Sequence, residues 1–412
     1  MQIRFRRIPA LIFLFFTGLM VQWNASAAPI QPAAERPETY IPYLKNKSVA
    51  LFANHTSMAG NEHLLDLLIR HDIKVRKIFT PEHGFRGTGD AGEKINNSVD
   101  EKTGIPIISL YGNKRRPTVE ELKDIDIMVF DIQDVGVRFY TYISSLEEYM
   151  IAAIEAGKPL IILDRPNPNG FYIDGPVLEP AYRSFVGMQP VPVVYGMTIG
   201  EYAKMILGEK WVDPNKIKSS GKGFNLVVIP CANYTRSAKY VLPVKPSPNL
   251  PNMAAIYLYP SICFFEGTVL SEGRGTDKPF QIFGHPLLPD TLKAFTPKST
   301  EGAKNPKLLN QLCYGWDLSA SPEKILQELD GQLQLKWLIE AYRLFPDKDR
   351  FFILPAKNNY QPQEIFFNKL AGNSTLFHQI QNGISEEEIR KSWEPALKQF
   401  KEIRKKYLIY SE

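Results

Sequence analysis

Glu82 and His83 follow each other in the segment TPEHGFRG, directly after an apolar run that ends at Phe79. In proteins built from parallel strands and helices, ligands bind at the carboxyl ends of the strands, so polar side chains there are candidates for chemistry. A carboxyl group near apolar neighbours such as Phe79 and Phe85 could protonate a leaving oxygen, as a general acid does. The position equally suits a second interpretation, in which Glu82 and His83 only fix the loop through hydrogen bonds.

Other polar side chains also stand at the ends of apolar runs or beside turns. Further carboxylates that could act with Glu82 or bind a ligand are Asp131, Asp134, Asp164, Glu179 and Glu266. Amide side chains that could hydrogen-bond sugar hydroxyls are Asn54, Gln133 and Asn167. Arginines whose planar guanidinium could bind an anionic substituent are Arg138, Arg165 and Arg274. Each of these residues also has a structural interpretation, such as a local ion pair within DRP for Asp164.

Two further side chains have both a binding and a structural interpretation. His55 follows the first apolar run, but no spacing of the H-E-x-x-H kind accompanies it, which favours a structural role over a metal ligand. Tyr140 lies in an aromatic segment that could stack on a sugar ring or belong to the core. No G-x-G-x-x-G follows the first strand, and neither a P-loop nor a G-x-S-x-G elbow is present. The sequence therefore predicts no metal and no other cofactor.

Four apolar runs with polar exits must position these side chains. They are VALFANH (49–55), VRKIFTPEHG (75–84), DIMVFDIQDVGVR (126–138) and PLIILDRPNPNG (159–170). Their lengths and the helical patterns between them, near 61–71 and 142–156, predict parallel strands joined by helices. The predicted fold class is α/β with a Rossmann-like parallel sheet, and the four strand ends should line one cleft.

The first 30 residues differ in composition from the rest of the chain. Three arginines, at positions 4, 6 and 7, precede an apolar run over 8–21, and Ala25, Ser26 and Ala27 offer a cleavage site. This pattern is typical of a signal peptide over 1–27, so we expect a periplasmic mature chain that begins at Ala28 and keeps no membrane anchor. No later run reaches the roughly 18 apolar residues that a transmembrane helix needs.

The overall composition of the 412-residue chain sets further limits. With 44% hydrophobic and 12% aromatic residues it can bury a sizeable core, and its length indicates two domains or one large domain with an appendage. The net charge of +5 is mild and predicts no nucleic-acid partner. The three cysteines, at positions 231, 263 and 313, are widely spaced, which favours buried free thiols, although an exported compartment would permit one disulfide.

Several long segments, taken together, resemble the exo-β-N-acetylmuramidase family of the NamZ type. The matching blocks are TPEHGFRG (80–87), VFDIQDVGVRFYTY (129–142), LDRPNPNG (163–170), KPSPNLP (245–251) and FFEGTVLSEGRGTDKPF (264–280). The resemblance implies an enzyme that removes N-acetylmuramic acid from the non-reducing end of peptidoglycan fragments such as the MurNAc-GlcNAc disaccharide. It also implies a Rossmann-like catalytic domain (28–190), a smaller C-terminal α/β domain with a helical tail (191–412), and a cleft between them.

The resemblance also gives the candidate residues roles. Glycoside hydrolysis usually needs two carboxyl groups, and we expect Glu82 to be the general acid. Candidates for the second role are Glu93, Asp134 and Glu179, unless the 2-acetamido group of the sugar acts as an internal nucleophile. The lactyl carboxylate of muramic acid calls for an arginine, and Arg138 is the first candidate. The alternative is a non-catalytic periplasmic protein that binds muropeptides or sugars; the stereochemistry of hydrolysis and the oligomeric state are left open.

Overall fold

The computed structural model describes residues 28–82, 84–85, 97–213 and 223–412. Its strands, numbered along the chain, are β1 (Ser48–Ala53), β2 (Met58–Ala59), β3 (Glu62–His63), β4 (Lys74–Thr80), β5 (Ser98–Val99), β6 (Pro106–Ser109), β7 (Ile127–Asp131), β8 (Leu160–Leu163), β9 (Leu226–Ile229), β10 (Ile282–His285), β11 (Lys293–Phe295) and β12 (Cys313–Asp317). The four apolar runs of the sequence form β1, β4, β7 and β8, so these predicted strands are confirmed.

The described helices lie on the faces of the main sheet and form much of the C-terminal part. They are α1 (Pro37–Leu44), α2 (Leu64–Arg70), α3 (Tyr142–Glu155), α4 (Ile199–Gly208), α5 (Met253–Ile262), α6 (Pro322–Leu329), α7 (Lys336–Leu344), α8 (Phe366–Ala371), α9 (Thr375–Gln381) and α10 (Glu386–Lys405). The helices predicted near 61–71 and 142–156 are α2 and α3. Both carry a periodic apolar face, which is what buries them against the sheet.

The main sheet has the strand order β5-β6-β4-β1-β7-β8-β9. Only the short edge strand β5 runs antiparallel to its neighbour; the other pairs in this sheet are parallel. Numbered among themselves along the chain, the parallel strands follow the order 3-2-1-4-5-6 of the Rossmann fold. The predicted α/β fold class is confirmed. In this topology the order reverses between β1 and β7, and the crevice beyond the carboxyl ends of those strands is the expected ligand site.

The central strand β7 is buried along its whole length, which explains its uninterrupted apolar sequence. The chain turns away from it at Gly136, where φ is +75°. A Cβ atom at this position would lie 2.1 Å from the Asn167 side chain, so only glycine fits both the dihedral and the space. The loop after β7 is thereby held against the loop after β8.

The C-terminal part contains an antiparallel sheet with the order β10-β12-β11 and the helices α5 to α10. A continuous apolar core extends from the helix face of the main sheet into these helices. The predicted division at residue 190 stays a prediction. The main sheet takes its last strand, β9, from the C-terminal side of that point.

Candidate active site

Neighbouring strands place Glu82 beside Tyr111. β4 and β6 pair in parallel with Thr80 opposite Ser109, and each chain continues for two residues to reach Glu82 and Tyr111. Burial raises the pKa of the Tyr111 phenol, and the adjacent Glu82 carboxylate raises it further through its charge and a hydrogen bond. An acid and a phenol therefore face each other at the carboxyl ends of these strands.

A cavity of about 350 Å³ lies over these two residues, a volume that suits a small ligand. Its charged and polar lining includes Glu82, Tyr111, Arg115, Asn249, Glu266 and Arg274. Its aromatic lining includes Phe139, Tyr140, Tyr142, Phe185, Tyr259 and Phe280. Aromatic faces beside a few polar groups are a typical arrangement for holding a sugar ring. Both the Rossmann-like part and the C-terminal part contribute residues to this lining.

Tyr140, just before α3, and Tyr142, its first residue, are each held by a hydrogen bond. The Tyr140 hydroxyl donates to the carbonyl of Pro246 at 2.8 Å. The Asn54 side-chain amide donates to the Tyr142 hydroxyl at 2.9 Å. Asn54 therefore lies behind the cavity wall. Its side chain was predicted to contact a sugar, but it contacts the wall residue Tyr142 instead.

Glu266 and Arg274 form the C-terminal wall and are bonded to each other. Arg274 Nη2 lies 2.6 Å from Glu266 Oε1, and Arg274 Nε lies 3.2 Å from Glu272 Oε1. Burial lowers the pKa of Arg274, but the charges of Glu266 and Glu272 outweigh this effect and raise it. The guanidinium is therefore held by two carboxylates, which fixes Glu266 in the wall.

Tyr111 and Arg115 are among the polar lining residues that were not singled out from the sequence. They follow β6, in the segment YGNKRR. The Arg115 guanidinium carbon lies 3.8 Å from the centre of the Phe185 ring and 5.2 Å from that of Tyr111. The signal that could have revealed them is the one used for the other strands, namely polar residues after an apolar run.

Four residues predicted for the site line the cavity: Glu82, Tyr140, Glu266 and Arg274. Two of the others hold loops together. Gln133 donates its side-chain amide to the carbonyls of Asp134 and Pro166, both at 2.8 Å. Asn167 donates to the carbonyl of Met197 at 2.8 Å. Both side chains are buried and donate to backbone carbonyls, so neither is presented to a ligand in the cavity.

Asp164 belongs to a buried hydrogen-bond network and is not part of the cavity lining. It accepts hydrogen bonds from the Thr198 hydroxyl at 2.7 Å and the Tyr410 hydroxyl at 2.6 Å. Burial raises its pKa to about 6. The predicted ion pair within DRP does not form with Asp164, because Arg165 pairs with Asp131 at 2.5 Å.

The role predicted for Arg138 requires a correction. It is fully buried, and its guanidinium donates to the carbonyls of Pro176, Val191 and Leu370 at 2.7–2.8 Å. Burial lowers its pKa to about 9. These carbonyls accept from both terminal nitrogens, and Arg138 is not among the residues that line the cavity, so it ties backbone segments together.

Two of the three candidates for the second carboxylate, Asp134 and Glu179, lie outside the cavity lining. Asp134 is buried behind it, where it accepts hydrogen bonds from the Tyr195 hydroxyl and the Gly136 backbone. Glu179 is exposed and borders a separate surface groove with Trp393. Glu93 and His83 lie outside the described residues. His55 contacts the carbonyl of Lys245 at 2.9 Å, in keeping with a structural role.

Other expectations can be compared with the described part of the chain. Within 28–82, 84–85, 97–213 and 223–412, no group of three or more His, Cys, Asp or Glu side chains could hold a metal ion. In the same ranges no helix combines the length and apolar character needed to cross a membrane. Cys231, Cys263 and Cys313 are buried free thiols, as predicted.

Comparisons with known proteins agree with the motif blocks. Models of the N-terminal and C-terminal parts of exo-β-N-acetylmuramidase NamZ match residues 49–254 and 257–410. The peptidoglycan β-N-acetylmuramidase NamZ of Bacillus subtilis is 37% identical over 441 residues, covering 97% of this chain and 99% of that protein.

Two crystal structures of DUF1343 family proteins from Bacteroides fragilis share the fold. One has a TM-score of 0.82 and 46% identity, covering 93% of this chain and 100% of that chain. The other has a TM-score of 0.75 and 27% identity, covering 93% of this chain and 99% of that chain. On the strength of both family models and of the Bacillus relative, the chain belongs to the NamZ family of exo-β-N-acetylmuramidases.

Proposed function

We propose that this chain is an exo-acting glycosidase that releases N-acetylmuramic acid from the non-reducing end of peptidoglycan fragments such as the MurNAc-GlcNAc disaccharide. The observation that carries the proposal is Glu82, a carboxylic acid beside Tyr111 in an aromatic cavity at the carboxyl ends of the strands. Family membership favours this activity over the alternative of a non-catalytic sugar-binding protein.

Glu82 is the proton donor in the proposed mechanism. Cleavage of a glycosidic bond proceeds through an oxocarbenium-like transition state, and the leaving oxygen takes a proton as the bond breaks. The Tyr111 hydroxyl, next to the Glu82 carboxyl, orients the acid toward the cavity. Glu266 is the other carboxylate that lines this cavity among the described residues, and Arg274 holds it in place to accept hydrogen bonds from sugar hydroxyls.

The test of the proton donor is the variant Glu82→Gln, which keeps the shape of the side chain but has no acidic proton. Release of N-acetylmuramic acid from the disaccharide, followed by chromatography, should fall by about 10²–10⁴-fold, the usual contribution of general acid catalysis. Binding of the disaccharide should be largely retained. A nitrophenyl muramide should be less affected, because its leaving group needs less protonation.

Glu179→Gln is the matched control, since it makes the same chemical change at an exposed residue outside the cavity lining. It should keep normal turnover. Full activity of Glu82→Gln on the disaccharide would refute the assignment of the acid. Tight sugar binding by the wild-type protein without any release would favour the binding-protein alternative.

We also propose that the protein works in the periplasm, as a mature chain beginning at Ala28. The support is the basic segment, apolar run and Ala-Ser-Ala site of the N-terminal sequence. N-terminal sequencing of protein from the periplasmic fraction should find Ala28. Recovery of Met1 from a soluble cytoplasmic pool would contradict the proposal.

A further inference from the structure

The cavity lining contains two arginines, and their surroundings differ. Arg274 is bonded to the carboxylates of Glu266 and Glu272. Arg115 Nη1 is buried and has no hydrogen-bond partner in the described part of the chain. A buried donor without a partner is unfavourable, and it gains an acceptor when a water or a ligand binds beside it.

The position of the Arg115 guanidinium is fixed by aromatic rings. Its central carbon lies 3.8 Å from the centre of the Phe185 ring, a cation–π distance, and Tyr111 is the next ring at 5.2 Å. Stacking occupies the face of the guanidinium and leaves the N–H groups along its edge available. A planar edge of this kind matches a carboxylate, which it can bind through two parallel hydrogen bonds.

The next residue, Arg116, has a different role from Arg115. Arg116 Nε lies 2.8 Å from Glu148, and its Nη1 lies 3.3 Å from Glu155, both on α3. Arg116 therefore attaches the loop to α3, whereas Arg115 lines the cavity. Tyr111 contacts both Glu82 and Arg115, so an anion bound at Arg115 would lie one side chain away from the proton donor.

We propose that Arg115 binds the lactyl carboxylate of the substrate and thereby selects muramic acid over sugars that lack this group. The inference rests on the proposed function, because N-acetylmuramic acid differs from N-acetylglucosamine by the lactyl ether at C3. Arg115 takes the role that the sequence suggested for Arg138. It acts on binding and specificity, while Glu82 supplies the proton.

The test uses Arg115→Gln, with Arg116→Gln as the matched control from the same loop. Binding of three sugars is measured by calorimetry: N-acetylmuramic acid, its lactyl primary amide and N-acetylglucosamine. The amide has nearly the same shape but no charge. Arg115→Gln should weaken binding of the acid by about 10–100-fold, the worth of a hydrogen bond to a charged group, and change binding of the amide little. Arg116→Gln should keep the wild-type preference for the acid over the amide, because its guanidinium pairs with α3 and not with the ligand.

Equal losses for acid and amide in a folded Arg115→Gln variant, or unchanged affinity for the acid, would overturn the inference. If that variant does not fold, the wild-type protein decides, because it must prefer the acid to the amide by a similar factor. Arg115→Lys should keep part of that preference, since it retains the charge but loses the planar edge. A wild type that binds the acid through Arg115 but releases no sugar would refute the glycosidase function and leave this inference standing.

Discussion

Asp134 is a carboxyl group enclosed by the protein with only one oxygen hydrogen-bonded. Oδ2 accepts from the Tyr195 hydroxyl and the Gly136 backbone, and Oδ1 is buried without a partner in the described residues. Burial raises its pKa to about 6. The native state therefore holds this proton more tightly than the unfolded state, and the stability that Asp134 contributes falls as pH rises from about 4 to about 6.

Asp134→Asn should remove this dependence, because asparagine does not titrate. The difference in melting temperature, variant minus wild type, should increase as pH rises from about 4 to about 6 and then level off. The change corresponds to about 3 kcal/mol at most, at roughly 1.4 kcal/mol per pKa unit. Asp164 and Glu147 also have raised pKa values, and they contribute equally to both proteins, so the difference isolates Asp134. A difference that stays constant over this pH range would contradict the prediction.

Arg138 should matter for stability and not for substrate choice. Arg138→Ala removes a donor from three buried carbonyls. The Val191 carbonyl still accepts from the Leu178 backbone at 3.1 Å, whereas those of Pro176 and Leu370 lose the donor that Arg138 supplied. Each unsatisfied buried acceptor is unfavourable by about 1–3 kcal/mol, so we expect the free energy of unfolding in urea to fall by at least about 2 kcal/mol. The preference for N-acetylmuramic acid over N-acetylglucosamine should persist in the protein that remains folded. Unchanged stability with a lost preference would restore the role suggested by the sequence.

At the scale of elements, the last long helix, α10, is attached to the loop after β8 by one buried ion pair. Arg390 bonds to both oxygens of Asp174 at 2.9–3.1 Å, with side-chain exposures of 20% and 6%. The next residue, Lys391, pairs with Glu387 on the same helix, at exposures of 63% and 78%. Adjacent residues thus make ion pairs of very different burial.

Replacing each of these two cations by methionine should therefore have unequal effects. Arg390→Met leaves Asp174 charged and mostly buried, so the free energy of unfolding should fall by about 3 kcal/mol. Lys391→Met removes only an exposed pair, worth less than about 0.5 kcal/mol. Chemical denaturation of both variants measures the contrast. Equal losses would show that α10 is not held to this loop through Arg390.

At the scale of the whole molecule, contacts between the two family regions suggest that they fold as one unit. Arg138, in the first region, depends on the carbonyl of Leu370 in the second. Arg404 of α10 donates to the carbonyl of Gly196. The apolar core is continuous from α3 to α10. Neither region can reproduce these contacts alone.

We expect the chain 28–412 to unfold in a single cooperative calorimetric transition. A chain ending at residue 255 should show no cooperative transition, because it loses the partners of Arg138 and Gly196 and part of the cavity wall. Two separate transitions in the full chain, or a cooperative melt of the truncated one, would show instead that the regions are independent domains.

The sequence by itself determined the elements and most of their order. Apolar periodicity is a local property, so the runs that became β1, β4, β7 and β8, and the patterns that became α2 and α3, could be identified without any knowledge of the fold. The polar exits of those strands identified Glu82 directly. The motif block around 264–280 supplied Glu266 and Arg274, which the structure places in the same cavity.

Only the tertiary structure decided which polar side chains face the cavity. Arg138 and Arg115 both follow strands and have the same residue type, and the family motif makes Arg138 the better candidate. The fold turns Arg138 inward to a carbonyl 232 residues further along the chain, while Arg115 is stacked on Phe185 at the cavity wall. Hydrogen-bond partners so distant in sequence exist only once the elements are packed, and the direction of a loop side chain follows from those partners.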